Sequence, residues 1–317
     1  MIVLKHIENG FPEQLQILFG EAGGFARQIG RNVALCPVQR VGNDVFPAHF
    51  GAFVLRIGLG GDGHAGDGHF LRHDGVYAAG IRALAVALHG KHEVTIAAPS
   101  VQRSGASHSF TCSEFGLSAE RVTLEGLEDV TAYAISGTPS DCAKLGMQLM
   151  GEWPDLVVSG INHGSNLGTD TLYSGTVGAA MEAAIYGVKA IAVSNYAFEP
   201  ENFDMCIYGL ERAMQLMEEH NELMLLNVNA PDGAREECKG VKLTPLGFHK
   251  YPTEYDLMPN ENGEEMFYSR RGIVYMSREN DDVDDRWLQK GYVSITPLQM
   301  SFTDENMLAL LKKGWRE

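Results

Sequence analysis

Short apolar runs recur along the chain from about residue 90: Val94 to Ala98, Ala132 to Ile135, Leu156 to Val158, Val188 to Val193 and Leu223 to Val228. Each has the length of a buried strand and is bounded by glycine, proline or small polar residues. Between them lie stretches with helical spacing. Ile81, Leu84, Ala85 and Leu88 share one face of a helix that ends at Gly90, and Phe203 to Glu219 is amphipathic. Thr138 is a predicted N-cap with Pro139 at the first helical position, which starts a helix running to about Met150. Strand and helix alternate, the pattern of an α/β domain with a parallel sheet.

The polar residues collect where the predicted strands end. Arg103-Ser104-Gly105-Ala106-Ser107-His108-Ser109 follows the first strand, Ser136-Gly137-Thr138-Pro139-Ser140-Asp141 the second, and Gly160-Ile161-Asn162-His163-Gly164-Ser165-Asn166-Leu167-Gly168 the third. His73-Asp74-Gly75 precedes the first helix in the same way. Loops at the carboxyl ends of parallel strands open on one crevice, so these four clusters are expected to share a site. Ser174-Gly175-Thr176 then opens an alanine-rich helix, whose first amides lack partners within the helix and suit an anion such as phosphate. Serine, glycine and asparagine are also ordinary turn residues; four such loops in succession favour a site.

The charge balance, 25 Lys and Arg against 41 Asp and Glu, excludes nucleic-acid polymers and anionic membranes as partners of the surface at large. No apolar segment spans a membrane and the first residues are too short for a signal-peptide core, so a cytoplasmic protein is expected. The five cysteines, Cys36, Cys112, Cys142, Cys206 and Cys238, lack metal-type spacing and read as free thiols, with Cys142 packed inside its helix.

Several of these stretches resemble the SurE family: Asp74-Gly-Val-Tyr-Ala-Ala-Gly-Ile-Arg-Ala-Leu, Ser104-Gly-Ala-Ser-His-Ser, Ser136-Gly-Thr-Pro-Ser-Asp-Cys, Gly160-Ile-Asn-His-Gly-Ser-Asn-Leu-Gly and Tyr173-Ser-Gly-Thr-Val-Gly-Ala-Ala-Met-Glu, with Gly291-Tyr-Val-Ser-Ile-Thr-Pro-Leu extending the match. The resemblance implies a Rossmann-like three-layer α/β sandwich with a mostly parallel sheet and a C-terminal hairpin and helix extension. It also implies a 5'-nucleotidase that uses one divalent cation, magnesium or manganese, on nucleoside 5'-monophosphates, and that assembles as a homodimer or homotetramer through exchanged C-terminal elements. Residue by residue, the metal ligands fall on Asp74, Ser104 and Asn162, with Asp74 and Asn162 at the catalytic centre. The phosphate is expected at Thr138, Asn166, Ser174, Gly175 and Thr176. The family's Asn-Asp-Asp-Gly departs here to Arg72-His73-Asp74-Gly75, so an imidazole stands at the first metal carboxylate. Nitrogen at that place suits magnesium poorly and manganese or zinc better. The alternative function is therefore a catalytically impaired nucleotide- or phosphate-binding protein. His108 and His163 are candidate acid or base groups or, more simply, residues that shape their loops.

Residues 1–65 fall outside the resemblance, and 66–317 form the expected phosphatase domain, with an oligomerisation arm from about 232. Gly66-Asp67-Gly68-His69-Phe70-Leu71, where the resemblance expects a strand, is too polar and glycine-rich for one. The segment reads as an upstream translation, from a frame error or a misplaced start, or else as a genuine extension, and is expected to add little to the core. Gly58-Leu59-Gly60-Gly61-Asp62-Gly63 fits a dinucleotide fingerprint, but neither the required helix nor an acidic residue about 20 positions on follows it. His64, His69 and His73 could hold zinc, although Gly-Asp-Gly-His repeated twice reads first as a solvated loop. Toward the other end, Glu264 to Tyr268 and Gly272 to Ser277 are expected to pair as a hairpin around Arg270-Arg271. Thr303 is the expected cap of a last helix that turns Met307, Leu308, Leu310 and Leu311 toward the core.

Overall fold

The computed structural model describes residues 2–5 and 75–315, apart from 113, 115, 271 and 279. In chain order its elements are β1 (Ile2–Lys5), α1 (Ala79–Leu88), β2 (Glu93–Pro99), β3 (Ala119–Val122), β4 (Thr131–Ile135), α2 (Pro139–Leu149), β5 (Leu156–His163) and α3 (Gly175–Ile185). They continue with β6 (Lys189–Asn195), α4 (Asp204–Glu219), β7 (Leu225–Ala230), β8 (Val241–Leu243), β9 (His249–Lys250), β10 (Tyr255–Pro259), β11 (Glu265–Ser269), β12 (Val274–Tyr275), α5 (Asp284–Gln289), β13 (Val293–Pro297) and α6 (Glu305–Gly314). A 3-10 turn, Gly168–Leu172, stands between β5 and α3.

One sheet runs in the order β3-β4-β2-β1-β5-β6-β7-β13-β8. Its strands β2 and β4 are parallel, as are β5, β6 and β7. Because β1 is antiparallel to both β2 and β5, these two groups point the same way. The period of two along each strand divides the core. Val94, Ile96 and Ala98 of β2 face α1 and α4 together with Val158, Ile191, Val193 and Val228. Ala97, Tyr133, Val157, Ala190 and Ala192 face α2 and α3. The second face is rich in alanine, and so is α3, which therefore packs close to the sheet. Helices on both faces complete three layers, as the alternating pattern predicts.

Four expectations need correction. Strand β1 lies between β2 and β5, with Ile2 opposite both Ile96 and Val158, so the idea that residues 1–65 add little to the core does not extend to Ile2–Lys5. The hairpin is β10 with β11, turning at Asn260-Glu261-Asn262-Gly263, while β12 pairs with β9. The side chain of Asn260 accepts hydrogen bonds from the amides of Asn262 and Glu264 and so closes that turn. The cap of α6 is Asp304, whose carboxylate accepts from the Met307 amide, and no residue of α6 is buried in its own chain. Strand β5 continues past its apolar run to His163, which puts Asn162 on the strand and not in the following loop. Gly58 to Gly63, His64, His69, His73, Asp74 and Cys36 lie outside the described residues. No described helix is long and apolar enough to cross a membrane.

Candidate functional site

The parallel strands β2, β4, β5 and β6 release their loops at one edge of the sheet. Near that edge the register of β5 against β6 shifts between Ser159 and Asn162. Asn162 is fully buried there. Its Nδ2 donates to the Gly164 carbonyl at 2.6 Å, which fixes the amide, and its Oδ1 is buried without a hydrogen-bond partner. A buried carbonyl oxygen left open is costly unless something positive meets it. Ser104 lies on the exposed loop after β2. Gly75, the residue after Asp74, packs against the backbone of Pro99 and Ser100 at the end of β2. No group of three His, Cys, Asp or Glu that could hold a metal occurs among the described residues. The described donors, an amide oxygen and a hydroxyl, are hard oxygens that fit magnesium or manganese.

Ser174 caps α3, and its hydroxyl accepts from the Val177 amide at 3.1 Å. That hydroxyl is thus engaged in starting the helix, leaving the earlier amides of Gly175 and Thr176 to face a ligand. Thr176 is fully buried and its Oγ1 has no partner. Asn166 is locked below the loop: its amide donates to Asn229 Oδ1 (2.7 Å), its Nδ2 to Ser194 Oγ (2.7 Å), and its carbonyl accepts from Asn227 Nδ2 (2.8 Å). Ser194, Asn227 and Asn229 were not singled out from the sequence. Their signal is polar residues inside otherwise apolar strands, Val193-Ser194-Asn195 and Asn227-Val228-Asn229. Thr138 has structural partners as well. Its hydroxyl donates to the Ser109 carbonyl at 2.7 Å and accepts from the Asp141 amide, so it serves as a cap and a tie to the β2 loop.

The β2 loop is fastened to the turn before α3 and to α3 itself at several points. Ser107 donates from its amide to the Tyr173 carbonyl (3.0 Å) and from its hydroxyl to that of Leu172 (2.6 Å). Gly178 lets the loop approach, since a Cβ there would stand 2.7 Å from the Ser107 carbonyl. His108 Nε2 lies 2.5 Å from Glu182 Oε2, and Lys144 Nζ lies 3.4 Å from the other carboxylate oxygen. Burial pushes the Glu182 carboxyl up, but the hydrogen bond and charge of His108 and the Lys144 ammonium outweigh it and hold the group below the usual carboxylate value. His108 therefore joins the loop to α3. His163 packs its ring 5.8 Å from that of Phe203. On the opposite side of the 3-10 turn, Asp170 Oδ1 accepts from Tyr251 Oη at 2.6 Å and lies 2.9 Å from His249 Nε2. The Gly168 amide donates to Asp284 at 2.8 Å. Burial raises the Asp284 carboxyl against three backbone donors, those of Gly168, Gly247 and Asp285.

The family model "Survival protein SurE" matches residues 72–253, more than half of the chain. The chain belongs to the SurE family. It is 41% identical over 251 residues to the 5'-nucleotidase SurE of Synechococcus elongatus, covering 75% of this chain and 95% of that protein. It is 39% identical over 246 residues to the 5'-nucleotidase SurE of Clostridium beijerinckii, covering 76% and 95%. The crystal structure of the SurE protein from Aquifex aeolicus superposes with a TM-score of 0.63 at 30% identity, over 83% of this chain and 98% of that one. The family-model match opens at Arg72, the first residue of the pair Arg72-His73 where the motif departs.

Proposed function

We propose that this SurE chain is a metal-dependent phosphomonoesterase that hydrolyses nucleoside 5'-monophosphates to nucleoside and inorganic phosphate. The observation that carries the reading is Asn162: a buried amide oxygen, oriented by the Gly164 carbonyl and without a partner, at the strand edge from which the β2 loop also leaves. Asp74, Ser104 and Asn162 would hold one divalent cation, magnesium or manganese, with His73 beside Asp74. When bound, the cation supplies Lewis-acid charge to the phosphate oxygens and makes a water more acidic. The chain's own residues orient and neutralise. The Gly175 and Thr176 amides and the free Thr176 hydroxyl hold phosphate oxygens at the start of α3, where the helix dipole favours negative charge. Ser174 and Asn166 keep that turn in place, an entropic contribution made in advance of binding.

A second reading follows from His73. With one metal carboxylate missing, the chain would bind nucleotide or phosphate and turn it over poorly. Phosphate release from AMP with magnesium, manganese or zinc decides between the two. Asn162→Ala is expected to lower kcat on the order of 100-fold while the chain still melts cooperatively. AMP binding without phosphate release under any of the three metals selects the second reading.

A homodimer or homotetramer completes the proposal. Leu257 and Phe267 of the hairpin and Leu310 and Leu311 of α6 are all at least half exposed, an apolar surface that a second copy would cover.

A further inference from the structure

We propose that Phe198 is the platform on which the nucleobase of the substrate stacks; the role rests on the phosphomonoesterase reading and adds to it the part of the substrate that the phosphate loops do not touch. Phe198 follows the end of β6, next to β5, at the same sheet edge as Asn162. Single exposed apolar side chains are common and need no explanation. What distinguishes this one is how firmly its turn is held. The Tyr196 amide donates to the Ala230 carbonyl (2.8 Å), the Ala197 amide to Asn195 Oδ1 (2.8 Å), and the Ala197 carbonyl accepts from the Gly164 amide (2.8 Å).

The ring itself sits on Gly164. That residue has φ +90, which favours glycine, and a Cβ on it would stand 2.9 Å from the ring edge, so a side chain there would push the ring aside. The carbonyl of the same Gly164 orients the Asn162 amide. One residue thus supports both the open metal-facing oxygen and an aromatic ring that remains 63% exposed. A rigid ring costs little entropy on binding and offers its face to any base. On a chain of net charge −16, stacking is also a way to hold a nucleoside that needs no cation.

The experiment compares AMP with ribose 5-phosphate, which keeps the ester and lacks the base. In Phe198→Ala, KM for AMP is expected to rise about tenfold, the order that one base-aromatic stack supplies, with kcat unchanged. Ribose 5-phosphate kinetics should stay as in the wild type, and Phe198→Trp should restore AMP. An equal loss on both substrates, or no change on AMP, overturns the proposal. Wild-type protein that releases phosphate from neither substrate is the separate failure of the phosphomonoesterase reading. Calorimetric titration with AMP then tests the stack alone: Phe198→Ala binding AMP as tightly as the wild type overturns it.

Discussion

In the proposed reading, activity turns on His73, which stands where the family motif has its first metal carboxylate. An imidazole in place of a carboxylate removes one negative charge from the cation's surroundings and substitutes nitrogen for a hard oxygen. Restoring the family residues with Arg72→Asn and His73→Asp is expected to raise magnesium-dependent hydrolysis of AMP on the order of 100-fold, with little change in melting temperature, because the other loops are already in place. Steady-state phosphate release with magnesium and with manganese checks this. Equal rates in the two proteins would mean that His73 is a competent ligand or that the cation sits elsewhere. Asn162 and Ser174 stand in motifs long and specific enough to be singled out from the sequence. The struts Ser194, Asn227 and Asn229 were not, since a lone polar residue in a strand carries no sign of its partner until the sheet assembles.

At the scale of elements, α2 was the most readable. Thr138 and Asp141 form a capping box with Pro139 at the first helical position, and Asp141 additionally accepts from the amide and hydroxyl of Thr111. Burial pushes the Asp141 carboxyl up, yet these hydrogen bonds outweigh it and hold the group below its ordinary value. A carboxyl depressed in the folded state contributes stability above its unfolded pKa, about 3.9, and that contribution is lost as pH falls through the folded value. Asp141→Asn should therefore cost about 1–3 kcal/mol at pH 7, and urea titrations of the two proteins should converge below about pH 4. A gap that persists undiminished in acid would assign the loss to packing. Pairing of the arm was misread for a physical reason: β11 can meet any extended neighbour, and the Asn260 turn made the earlier strand β10 its partner.

For the whole molecule, α6 decides little of the monomer's stability because it buries nothing within its own chain. Removing residues 303–317 is expected to leave the melting temperature of the monomeric fold within a few degrees while lowering the assembly state seen by light scattering. An assembly of unchanged mass would place the contact on another surface. The opposite holds for the first residues. Ile2–Lys5 is hydrogen-bonded on both sides within the sheet, so a deletion reaching this strand exposes the facing edges of β2 and β5.

Local chemistry written along the chain determined the α/β class, the capped start of α2, the start of α3 and the gathering of polar loops at the strand ends, because apolar periodicity, caps and turns act over a few residues. Tertiary structure decided the rest. It set β1 between β2 and β5, joined β10 to β11, left α6 without cover in its own chain, and tied Thr138 to the Ser109 carbonyl and His108 to Glu182. Those outcomes depend on which surfaces meet across long separations. The partner of a strand edge, an imidazole or a hydroxyl is chosen by the packed chain and is not encoded in its near neighbours.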